Sequence, residues 1–257
     1  MKKLILTLGL MLGLASPVYA GSTPSTTISN PDRVVPFAKK VERELAERGA
    51  HVAIVARVGR DPKDLPDGIS YTHVAFWVYS EMTAEDGRKF NGYVAHNLYQ
   101  RPENLDRSDL VTDFPAEFFG DVHELKAGII IPNREMQARL LKSIDSENYR
   151  RLHVPNYSLV ANPLSWRYQN CTNFVMAVIM EAIYGSADRK QITANMRAYY
   201  QPTPVALSGL ETIFGPAFVD GFHTDDHKGP IKTSTFESIG RFLNKYELAE
   251  TVFEVTE

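Results

Sequence analysis

The 257-residue chain has a single cysteine, Cys171. No internal disulfide can form, so packing must hold the fold, and the thiol is either a small buried hydrophobe or a reactive group. Excess charge of one sign is also missing: 28 Lys and Arg stand against 31 Asp and Glu, a formal net charge of -3, with no basic block. That removes the electrostatic case for a nucleic-acid partner or a polybasic membrane patch. Beyond the N-terminus no stretch of about 18 uninterrupted apolar residues occurs, so no transmembrane segment is expected in the mature protein. Internal repeats and low-complexity tracts are absent as well.

The N-terminus itself is distinctive. Lys2 and Lys3 precede an apolar run from Leu4 to Leu14, and Val18-Tyr19-Ala20 makes a small-residue cleavage site before Gly21. This is the pattern of a secretory signal peptide over residues 1–20, and it predicts a periplasmic or secreted protein. No cysteine follows the cleavage region, which argues against a lipid anchor. Residues 21–31 are rich in Ser, Thr and Pro and read as a flexible lead-in. A hydrophobic content of 44% is ample for one core.

Val34, Phe37, Ala38, Val41 and Leu45 recur at helical spacing, and Gly49 supplies a stop. Val52–Val58 reads as a strand. Ile69–Tyr79 and Phe90–Tyr99, rich in aromatic and β-branched residues, flank a polar Ala84–Gly87 connection and predict a hairpin. Lys126–Ile131 is a further strand and Arg134–Ile144 a helix. Asn170 is a good N-cap for an apolar helix running to Tyr184, with Gly185 as its stop. Ser234-Thr235-Phe236-Glu237 resembles a capping box opening a last helix. The expected architecture is α+β, with a domain over residues 32–186 and a helical C-terminal extension, 187–257, packed on it.

Cys171 then sits in the first turn of a helix, where the dipole lowers a thiol pKa. A thiolate nucleophile needs a base and a group that orients the base. His73 lies mid-strand among large apolar residues, and His96 lies on the next strand. An even-length hairpin loop puts these two histidines on one sheet face; Asn97 is an alternative orienting group. Tyr168, Gln169 and Asn170 flank the cysteine as candidate oxyanion donors or supports. Two Asn-x-Ser/Thr matches, at Asn156 and Asn170, are set aside because the leader looks bacterial. His223-Thr224-Asp225-Asp226-His227 has metal-ligand residue types but no standard spacing, and reads as a polar loop, so no metal or other cofactor is expected.

The pair His73-Val74-Ala75-Phe76-Trp77-Val78 and, much later, Asn170-Cys171-Thr172-Asn173-Phe174-Val175 resembles the circularly permuted branch of the papain-like NlpC-type superfamily. Lecithin:retinol acyltransferase-like proteins belong to that branch. There the histidine strand precedes the cysteine helix, as here, and the resemblance covers Val52 to Tyr184. The whole chain also looks like a bacterial exported family without an assigned function. The resemblance implies a permuted papain-like fold, an antiparallel sheet packed on a central cysteine-bearing helix. It further implies Cys171 as nucleophile and His73 as base, acting on a cell-envelope peptide or acyl substrate by hydrolysis or acyl transfer. A non-enzymatic envelope binding protein on the same scaffold is the alternative of a different class.

Overall fold

The computed structural model describes residues 23–25, 28–84, 86–206 and 220–257. The expected signal peptide and its cleavage site lie outside the described residues. The protein is α+β, built on a six-stranded antiparallel sheet. In chain order the elements are α1 (Pro31–Glu47), β1 (Val52–Val58), β2 (His73–Thr83), β3 (Lys89–Arg101), β4 (Asn104–Asp113), α2 (Pro115–Phe118), β5 (Glu124–Pro132), α3 (Arg134–Ile144), α4 (Glu147–Arg151), α5 (Cys171–Tyr184), α6 (Arg189–Tyr199), β6 (Thr203–Pro204), β7 (Lys232–Thr233), α7 (Phe236–Lys245) and β8 (Ala249–Thr256). A 3-10 turn at Pro62–Asp64 follows β1.

The sheet order is β4-β3-β2-β1-β5-β8, with β6 and β7 forming a separate ribbon. β1 is buried along its whole length, as a strand covered on both faces must be, which is why it reads as an apolar run rather than an alternation. Its even-numbered side chains Val52, Ile54 and Ala56 join Val74, Phe76 and Val78 of β2 in a core shared with α3, α5 and α7. The odd-numbered Ala53 and Val55 join Ala75 and Trp77 under α1 and α2. The result is three layers, helix–sheet–helix. α5 is apolar nearly all round and buried from Cys171 to Ala182, so it is the central helix of its layer.

Local signals explain the ends of α5. The Asn170 side chain accepts the Asn173 N–H at 2.8 Å, and Gly185 closes the helix in the left-handed region at φ 66°. α7 begins one position later than the sequence motif suggests: Thr235 is the N-cap, reciprocated by Ser238.

Where it is described, the lead-in makes two hydrogen bonds to the domain: Ser29 N–H donates to Gly120 O at 2.7 Å and Arg57 Nη2 donates to Thr23 O at 2.8 Å. Two expectations are corrected. The C-terminal region is not all helical. Its last element, β8, pairs with β5 and completes the sheet. The β2–β3 loop, bounded by the pair Thr83↔Lys89, holds the odd number of residues 84–88, and Gly87 supplies a positive φ of 82° within it. That odd length reverses the parity on which the placement of His96 rested.

Candidate active site

His73 is the first residue of β2 and is completely buried. Its cross-strand partner on β1 is Arg57. The ring stacks on Tyr99 at 4.6 Å with 15° between planes and touches Phe118 of α2. His73 Nε2 lies 3.0 Å from Asn97 Oδ1. The Asn97 amide is itself fixed, because Nδ2 donates to Ala95 O at 3.1 Å. Its oxygen therefore faces the imidazole as an acceptor, so Nε2 carries the proton and Nδ1 is left with a free lone pair. Among the described residues His73 Nδ1 has no hydrogen-bond partner. Tyr99 in turn donates its hydroxyl to Asp113 Oδ2 at 2.6 Å, fixing the platform on which His73 rests.

Cys171 opens α5 and is 4% exposed. The β2–β3 ladder stops at Phe76↔His96. Two residues nearer the start of β2, the backbone N–H of Val74 acts on the Cys171 thiol together with that of Thr172, both favouring the thiolate. The thiol thus sits where the two strands part, against the backbone of the residue that follows His73. Arg57 and Tyr99 are electrostatic neighbours of both groups.

Burial dominates the electrostatics. It pushes the thiol up, against the lowering effect of the Val74 and Thr172 N–H groups and of Arg57. The sequence expectation of a thiol lowered by its helix N-terminus is therefore reversed: the helix and its N–H donors pull in the expected direction, but desolvation outweighs them. Burial, then the Arg57 charge, hold His73 well below the ordinary histidine range, with the Asn97 bond opposing. Both groups rest neutral, and no hydrogen bond joins them.

His96 does not belong to this cluster. It pairs with Phe76, on the sheet face that packs against α5, whereas His73 and Trp77 point to the α1 and α2 face with Phe118. Asn97, its neighbour in sequence, takes the orienting position instead. The flanking side chains have partners of their own. Gln169 binds the backbone of Leu152 and Val154, and the Tyr168 ring stacks on His223 at 4.8 Å. Asn170 serves as the cap and also donates to Leu159 O and Thr233 Oγ1. Arg57, Asn97, Tyr99 and Asp113 are the polar residues around His73 that sequence reasoning passed over or weighed only as an alternative. Period-two spacing places Asn97 and Tyr99 on the His73 face once the loop is known to be odd.

The His223–His227 loop fastens the C-terminal region to the approach to α5. His223 Nε2 meets Asp106 Oδ1 at 2.7 Å, and His227 Nε2 meets Val160 O at 2.8 Å. Among the described residues no group of three or more His, Cys, Asp or Glu is arranged to hold a metal ion. No helix among them is long and apolar enough to cross a membrane.

The fold thus defines an α+β protein with a buried histidine at the start of β2, hydrogen-bonded to a buried asparagine of β3, and a buried cysteine at the start of α5. Residues 44–243 match the model of the family described as an uncharacterized protein conserved in bacteria (DUF2145), and the chain belongs to that family. No curated protein and no solved structure matches the chain.

Proposed function

We propose that the protein is a cysteine-dependent amide or ester hydrolase of the permuted papain-like type, with Cys171 as nucleophile, His73 as base and Asn97 as the residue that orients the base. The observation that carries this reading is the tautomer imposed on a buried imidazole. Asn97 holds Nε2–H and leaves Nδ1 as an unpartnered acceptor, while the helix-terminal thiol is influenced by the backbone of the next residue, Val74. In the reaction the Cys171 proton passes to His73 Nδ1 while the sulfur attacks the substrate carbonyl carbon. Backbone N–H groups at the start of α5 stabilise the oxyanion. The Nδ1 proton then goes to the leaving amine or alcohol. Water, or in an acyl transferase another alcohol or amine, attacks the thioester, and Nδ1 takes up the acceptor's proton. Arg57 favours the thiolate and disfavours the imidazolium, so it biases where the proton rests. The export expected from the leader makes a cell-envelope peptide or acyl compound the substrate.

One observation favours the second reading, a non-enzymatic protein on the same scaffold. Thiol and imidazole are both shut from solvent, so catalysis requires the site to open. Incubation with cell-wall peptides and with lipid esters, with products followed by mass spectrometry, separates the readings. Turnover by the wild type and none by Cys171→Ser supports the hydrolase; equal turnover in both removes Cys171 from the chemistry.

A further inference from the structure

β4 is one edge of the main sheet, and only half of that edge is covered. The segment before α5 covers the first half as an antiparallel partner. Ser108 N–H donates to Pro155 O at 2.9 Å, Tyr157 N–H donates to Asp106 O at 2.8 Å, and Arg107 bridges Asn156. The β3–β4 ladder is regular from Gln100↔Ser108 to Ala95↔Asp113. Because Ser108 N–H points outward, those of Leu110 and Thr112 do too. Neither has a protein partner among the described residues.

The side chains of the same two residues turn to the helix face beside Leu98 and His96. They form one wall of a cleft of about 370 Å³, with Ile144 and Tyr149 on the other wall. Within it the ring nitrogens of His96 make no protein hydrogen bond among the described residues, and the buried Tyr149 hydroxyl has none either. The Tyr149 ring stands edge-on to His96 at 6.2 Å and to Phe174 at 4.9 Å. Phe174 is one helical turn beyond Cys171, so the cleft neighbours the nucleophile.

We propose that the open half of β4 and this cleft form a subsite for an extended peptide, which adds as an antiparallel strand at Leu110 and Thr112 and places a side chain between His96 and Tyr149. Outward donors repeating every second residue match the main chain of an extended peptide and no compact ligand. The chain already uses this edge in the same way at Pro155–Tyr157, which shows that its geometry accepts an antiparallel partner. Asp109 and Asp113 flank the open stretch and guard it against pairing with another copy. The inference deepens the hydrolase reading by naming a peptide as substrate class, and as a statement about substrate it rests on that reading.

The test is amide NMR on the Cys171→Ala protein, which isolates binding from chemistry, with acetyl-Ala-Thr-Val-Thr-Ala-amide as probe. Leu110 and Thr112 amides should shift and gain protection from hydrogen exchange. An analogue N-methylated at alternate amides should bind at least about tenfold more weakly. Thr112→Pro deletes one outward donor and His96→Leu one cleft group; each should weaken the peptide by a similar factor while the melting temperature of His96→Leu stays near that of the parent. No response at Leu110 and Thr112 at about 5 mM peptide, or equal binding of the N-methylated analogue, overturns the proposal. Those results leave the nucleophile reading standing, since the thiol is absent from the experiment.

Discussion

Replacing Asn97 with Ala removes the acceptor that fixes the His73 tautomer. The histidine is fully buried, so its Nε2–H is then left without a partner, which costs about 1–3 kcal/mol. The bond from Asn97 Nδ2 to Ala95 O goes too, at about 1 kcal/mol net. Stacking on Tyr99 is retained, so the loss should total about 2–4 kcal/mol. Urea denaturation reads this as a lower midpoint at unchanged slope. Nitrogen chemical shifts of the imidazole report the tautomer directly: Nε2–H in the wild type, and a mixture in the variant. His96→Leu, on the other sheet face, should alter stability by less than about 1 kcal/mol and leave the His73 tautomer untouched. An Asn97→Ala protein as stable as the wild type, or a wild-type His73 protonated at Nδ1, refutes the reasoning.

Stability should fall as the pH drops below about 6.5, because the unfolded chain takes up a proton that buried His73 refuses; one such group contributes a slope of up to about 1.4 kcal/mol per pH unit until its folded pKa is reached. His96 and His153 are lowered by burial as well, so the share that disappears in His73→Gln, measured by urea melts at pH 7 and 5.5, isolates the site. Arg57→Met should shift thiol alkylation to higher pH, since the cation beside the sulfur is lost, and should cost about 1–3 kcal/mol by stripping Phe118 O of its donor. Gly128→Ala places a Cβ 2.6 Å from the Tyr71 ring and 2.8 Å from Phe236, so a thermal melt should show about 1–3 kcal/mol of destabilisation.

Residues whose structure is decided locally were legible in the sequence. Asn170, Cys171 and Gly185 carry the cap, first turn and stop of α5 within one short segment, and β1 and α3 announce themselves by composition and period. β4 did not, because Asn104–Asp113 is largely polar and becomes a strand through pairing with β3 and the cover of residues 155–157. β8 is decided in the same way by β5, across more than a hundred residues of chain. The site was half legible. His73 and Cys171 stood out by residue type and setting, but the choice between His96 and Asn97 turned on one residue of loop length, which flips every side chain of a strand to the other face. The thiol's direction of shift was misread for a related reason: a helix N-terminus is visible in sequence, and complete burial is not.

Acylation of the folded protein by p-nitrophenyl acetate, followed by intact-mass spectrometry, tests the central claim most directly. The thiol sulfur forms a thioester with the acetyl group, p-nitrophenolate leaves, and the thiol proton passes to His73 Nδ1. An acetyl adduct that is absent from Cys171→Ala is assigned to the single cysteine. The account predicts that adduct in the wild type, formed much more slowly in His73→Ala and in Asn97→Ala although all three are folded. No adduct on Cys171, or equal rates in the three proteins, would contradict it.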